Sequence, residues 1–123
     1  MAHAVIIVIG VFFAGMGIYA LVAPAAIIRP FGIRLGDAAA RSEVRAVYGG
    51  FGLAIAGVLG YAAIVGGDIG KGVLITVGAA LAGMALGRLV AALLGDRTPF
   101  YPNWFYCLVE AAAAALLFAI SVP

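Results

Sequence analysis

Long apolar runs, separated by short clusters of glycine, proline and charge, divide the chain into four stretches. The first covers residues 4–23 and is closed by Pro24. The second, residues 38–65, is entered through Gly36-Asp37, becomes continuously apolar from about Val44 and ends at Gly66-Gly67-Asp68. The third covers residues 72–94 and stops at Gly95-Asp96; the fourth covers residues 104–122 and follows Pro99 and Pro102. Each run approaches or exceeds the ~20 residues that an α-helix needs to cross a bilayer's hydrocarbon core. Alternation of period two is absent, which excludes a transmembrane β-barrel. The pattern predicts an all-α, integral membrane bundle of four transmembrane helices. Asp37 is the predicted N-cap of the second helix, because its carboxylate can accept from a first-turn backbone N–H. Tyr101 and Trp104 suit the membrane–water interface.

Composition sharpens this picture. The 123 residues are 67% hydrophobic and 10% charged, against ~45–50% and ~25% in soluble domains. The mean hydropathy is +1.25. Four spans use ~80 residues, so residues 1–123 are expected to form one membrane domain. The first run has no basic segment before it and exceeds the ~7–15-residue apolar core of a signal peptide, so it reads as a helix that stays. The helix 1–2 and 3–4 connections and their flanks carry Arg29, Arg34, Arg41, Arg45 and Arg97, whereas the opposite side carries Lys71. Positively charged connections stay in the cytoplasm, so both termini are expected on the non-cytoplasmic side.

Several kinds of chemistry fall away. A single cysteine, Cys107, makes neither an internal disulfide nor a thiolate zinc site; with no histidine to activate it, it reads as a small apolar filler. The single histidine, His3, cannot build a bis-histidine centre and is expected to be a mobile terminal residue. No metal or cofactor is therefore expected. The basic residues are scattered along the membrane boundaries without an aromatic-interleaved patch, so no nucleic-acid role is expected.

The informative polar residues lie inside the apolar runs. Measured from the shared end of the third and fourth helices at ~1.5 Å per residue, Arg88 lies ~10 Å deep and Glu110 ~9 Å deep. A charge at the bilayer centre costs at least ~2.5–3.5 kcal/mol, so the two are expected to pair inside the protein. Glu43, Arg45 and Tyr48 in the second helix extend the set to two cations, two anions and a phenol whose formal charges cancel. One reading is a polar cavity for a lipid headgroup, a small polar ligand or a proton; the other is a self-satisfied network that fixes helix register.

Small residues form two stripes at four-residue spacing: Gly52, Ala56 and Gly60 in the second helix, and Ala79, Gly83, Gly87, Ala91 and Gly95 in the third. Such seams let helix backbones approach closely in lipid. They serve either packing within the bundle or an interface with a second copy or another membrane protein.

The element Glu43-x-Arg45-Ala46-x-Tyr48-Gly49-Gly50-Phe51, followed by Gly87-Arg88 and Glu110, resembles the bacterial family known as domain of unknown function 4345. The resemblance covers nearly the whole chain and implies a small four-helix protein of the bacterial cytoplasmic membrane, with weight on the five polar positions. It supplies no activity. The leading expectation is a non-catalytic bundle that self-associates or serves as an accessory subunit of a membrane complex, with the bilayer as its constant partner. A small transporter or a ligand- or lipid-binding protein built on the Arg/Glu cavity is the alternative. An isomerase-type membrane enzyme, with Glu43 or Glu110 as acid/base, ranks behind both.

Overall fold

Backbone polar groups in a hydrocarbon medium must bond within their own segment, which leaves the helix as the local solution for runs this apolar. The computed structural model describes residues 1–122 and is all-α over that range. Four long apolar helices have the length and composition to cross a membrane: Ala2–Val22, Ala38–Val65, Gly67–Leu93 and Phe100–Ser121. The first is helix α1. Pro24 opens a short helix α2, Pro24–Ile28, at the first helical position, where its missing N–H costs nothing. A tight turn, Arg29–Phe31, ends at Gly32 with φ 75°, a left-handed conformation that glycine adopts without a Cβ clash.

The second span comprises α3 (Ala38–Val44), a wide π-type turn (Arg45–Gly50) and α4 (Phe51–Val65). Asp37 caps it as expected, its Oδ1 accepting from Ala40 N at 2.9 Å. The third span, α5 (Gly67–Leu93), begins five residues before the predicted residue 72. Gly66 and Gly67 have φ of 58° and 59°, so the break is confined to two glycines and the helix restarts at once, with Asp68 in its first turn. A carboxylate there complements the partial positive charge of the helix N-terminus. The fourth span is a wide turn, Phe100–Trp104, followed by α6, Phe105–Ser121. Pro99 (ψ 164°) and Tyr101 (ψ 134°) are extended, which separates this helix from what precedes it.

The described chain divides into two compact units, one over residues 3–64 and one over residues 65–122. In the first, contacts run from His3 against Ala63 at one end to Leu21 against Arg45 at the other. Residue numbers rise along α1 as they fall along the second span, so the two are antiparallel. Their closest approach is at glycines. A Cβ on Gly17 would lie 2.8 Å from the Gly49 carbonyl oxygen and 2.9 Å from the Leu53 nitrogen, and one on Gly52 would lie 3.0 Å from the Phe13 carbonyl. In the second unit α5 packs antiparallel to α6. Buried Leu74, Val77, Leu81 and Ala85 on α5 and Cys107, Glu110, Ala114 and Leu117 on α6 recur every three or four residues, the spacing of one helix face. Gly78 accommodates Phe118, whose ring carbon would lie 2.9 Å from an added Cβ.

Candidate functional site

The second unit holds a charged cluster between two of the candidate membrane-spanning helices. Arg88 extends from α5 to Glu110 on α6 in a bidentate pairing, Nε donating to Oε1 at 2.8 Å and Nη2 to Oε2 at 3.0 Å. Nη1 donates to Asn103 Oδ1 at 3.1 Å. The Glu110 side chain is 7% exposed and that of Arg88 21% exposed. Two parallel N–H···O bonds match the planar guanidinium to the planar carboxylate, the geometry that makes an arginine pair directional as well as strong. One turn away, Cys107 Sγ lies 3.7 Å from the Ala85 carbonyl, continuing the same α5–α6 seam. Depth arithmetic brought Arg88 and Glu110 together correctly.

Asn103 was not expected. It sits in the wide turn before α6, where Pro102 and the extended Tyr101 make depth unreadable from residue count. Its signal in the sequence was modest: an amide at the membrane end of the fourth run, seven residues before a buried carboxylate.

Glu43, Arg45 and Tyr48 belong to the first unit. Arg45 Nε donates to the Leu21 carbonyl at 2.9 Å. Leu21 is in the last turn of α1, whose carbonyls lack intrahelical partners, so a cation there caps the helix and meets the negative end of its dipole. Glu43 is exposed on α3, and Tyr48 is exposed in the π-type turn. That turn, Arg45–Gly50, coincides with the core of the sequence element through which the chain resembles its family. The Phe51 N–H reaches back to the Ala46 carbonyl across five residues. Such wide turns inside α-helices mark sites where a regular helix has been traded for a particular side-chain placement.

His3 is also engaged, contrary to the expectation of a mobile terminal residue. Its Nε2 donates to the Ala63 carbonyl at 3.2 Å, satisfying another orphan acceptor in the last turn of α4. Thr76 Oγ1 and Ser121 Oγ bond back to the carbonyls of Gly72 and Phe118. Among the described residues no buried side-chain nitrogen or oxygen lacks a partner. No group of three histidine, cysteine, aspartate or glutamate side chains is placed to hold a metal ion among those residues.

The small-residue stripes separate into used and open positions. Gly52 is buried in the first unit, Ala56 is half-buried and Gly60 is exposed, with nothing within 4 Å of an added Cβ. On α5, Ala79, Gly83 and Gly87 are exposed and Ala91 is half-buried; both of those glycines face open space. The face of α5 against α6 is a different one.

The family model described as Domain of unknown function (DUF4345) matches residues 1–121. The chain belongs to this family. No curated protein and no solved structure matches it. Membership of the DUF4345 family thus covers both units, the wide turn and the Arg88–Glu110–Asn103 cluster, and assigns no reaction to any of them.

Proposed function

We propose that this protein is a small non-catalytic membrane module that associates, with further copies of itself or with a membrane partner subunit, through the small-residue face of its third span. The observation that carries this reading is the open stripe Ala79-Gly83-Gly87 on α5. Small residues at four-residue spacing are what close backbone contact between helices in lipid requires, and the α5–α6 packing does not use these. Two further features agree. Only 22–28% of the most apolar stretch of each long helix is buried within the chain, leaving apolar surface for lipid and for other helices. The intramembrane ion pair is closed on itself, which suits a register-setting role better than ligand capture.

The setting that goes with this role is a bacterial cytoplasmic membrane, crossed four times, with the arginine-bearing connections in the cytoplasm and both termini outside. The alternative of transport or ligand binding at Arg88 and Glu110 requires an incoming anion to displace Glu110 from a bidentate contact.

Two measurements in native-lipid particles test the assembly reading. Mass should exceed that of one chain, and Gly83→Leu/Gly87→Leu should reduce it to a single chain or release a co-purifying partner. A Gly83→Cys variant in a Cys107→Ala background should form disulfides between chains or to the partner. Unchanged mass, or the absence of such cross-links, would remove α5 as the interface.

A further inference from the structure

The connection between the first two spans contains an open cavity of about 380 Å³ lined by Ala25, Arg29, Ile33, Arg34 and Leu35. Its shape follows from the local backbone. Pro24 starts α2 immediately after α1, and Gly32 reverses the chain so that Arg34 returns to the side of Arg29. The lining has two chemistries: two guanidinium groups and an apolar wall of Ala25, Ile33 and Leu35. No carboxylate contributes to it.

The two arginines differ from the others whose partners have been described. Arg88 is held by Glu110 and Asn103, and Arg45 by the Leu21 carbonyl. Among the described residues, neither Arg29 nor Arg34 takes part in an ion pair or a side-chain hydrogen bond. The nearest carboxylate in sequence, that of Asp37, is engaged in capping α3. Two unpaired guanidinium groups facing one cavity create a demand for an anion with several acceptor oxygens, and a phosphate answers it with two-pronged contacts. Ile33, in the same lining, is exposed beside the arginines, which places an apolar side chain next to cations. That combination matches the boundary between phosphate groups and acyl chains, and a connection leaving a membrane span lies at that boundary.

We propose that this cavity is a binding site for an anionic phospholipid, with Arg29 and Arg34 clasping the headgroup phosphate and Ala25, Ile33 and Leu35 contacting the start of the acyl chains. The site is independent of the α5 face and of the Arg88–Glu110 pair.

The test uses the full chain in nanodiscs of phosphatidylcholine mixed with phosphatidylglycerol, released for native mass spectrometry. Wild type is expected to retain phosphatidylglycerol selectively. Arg29→Gln/Arg34→Gln is expected to lower the ratio of retained phosphatidylglycerol to phosphatidylcholine about ten-fold more than Arg41→Gln/Arg97→Gln, the scale of one charge-assisted hydrogen bond. The two pairs remove the same charge, so equal losses would mean general attraction to a negative surface and overturn a built site. Millimolar inorganic phosphate should leave the retained phosphatidylglycerol in place; displacement would assign the cavity to a soluble phosphate compound instead. Should the Arg29/Arg34 variant fail to fold, wild type still decides the matter. A phosphatidylglycerol analogue with a photoreactive headgroup should label residues 24–37, and labelling confined to other segments would overturn the proposal.

Discussion

Glu110 is the most exacting residue in the chain, because it is a carboxylate buried between apolar helices with both of its side-chain hydrogen bonds donated by one residue, Arg88. Removing one partner of a buried pair strands the other charge, at a cost of about 3–5 kcal/mol. Glu110→Ala is expected to destabilise the protein by that amount, measured by chemical or thermal unfolding in one fixed lipid mixture. Arg88→Leu/Glu110→Leu removes both charges together and should restore most of the loss, since an apolar pair of similar volume is often neutral or better. A loss below about 1 kcal/mol for Glu110→Ala would mean that Arg88 finds water or another partner when Glu110 is gone, and that the cluster is wet. Asn103→Ala is expected to cost less, about 1–2 kcal/mol, since Arg88 keeps its bidentate contact while losing one hydrogen bond. The pair was legible in the sequence because helices convert residue count into depth. Asn103 was not, because its side chain leaves from a turn whose path a residue count does not give.

Between helices, the decisive quantity is the space at each glycine. Gly17 of α1 faces backbone atoms of the second span, with the Gly49 carbonyl oxygen 2.8 Å and the Leu53 nitrogen 2.9 Å from an added Cβ. Backbone cannot swing aside, so Gly17→Ala is expected to force the helices apart and cost about 1–3 kcal/mol. Gly78→Ala meets the ring of Phe118 instead, a side chain with exposed surface that can rotate, and the expected loss is smaller, below about 1.5 kcal/mol. Gly10 has nothing within 4 Å, and Gly10→Ala should be neutral or stabilise by up to about 1 kcal/mol through helix propensity. Unfolding of the three variants in one detergent or lipid mixture checks the order. If Gly17→Ala proves as benign as Gly10→Ala, the α1–α4 contact is looser than its geometry implies. Helix positions were readable from hydropathy, and the Asp37 cap and the break at Pro24 followed from local chemistry. Glycine partnership was less so. Regular stripes stood out by eye, and Gly52 at the end of one of them does pack closely, yet Gly60 and the α5 glycines lie open while Gly17, Gly49 and Gly78, which have no comparable four-residue stripe, make the other tight contacts. Which face of an all-apolar helix is used depends on its neighbour, and lipid imposes no polar side to reveal it.

For the molecule as a whole, charge has to be read together with parity. In the proposed topology, four crossings put the segments around residues 24–37 and 95–99 on the cytoplasmic side and the termini and the Gly66-Gly67 turn on the other. Arg29, Arg34, Arg41, Arg45 and Arg97 flank the first side and Lys71 the second. Only part of that bias is committed to contacts within the chain: Arg45 caps α1, whereas Arg29 and Arg34 face an open cavity. Cations left free at one membrane face are what hold orientation during insertion. In a Cys107→Ala background, Gly36→Cys and Thr98→Cys are therefore expected to resist a membrane-impermeant maleimide applied to intact bacterial spheroplasts and to react after lysis. Asp68→Cys is expected to react before lysis. These positions leave every arginine in place, so the labels report the native charge distribution. The reverse pattern would invert the topology, and dual labelling would mean that five arginines against one lysine do not fix the insertion of this chain. The same result bears on the lipid site. If the connection containing Arg29 and Arg34 lies on the cytoplasmic face, it meets the leaflet whose anionic lipids draw polybasic segments, and orientation and headgroup capture would use the same side chains. Replacing both with glutamine should then weaken phosphatidylglycerol retention while Arg41 and Arg97 still hold the labelling pattern. A reversal of labelling in that variant would show instead that Arg29 and Arg34 are needed first for topology.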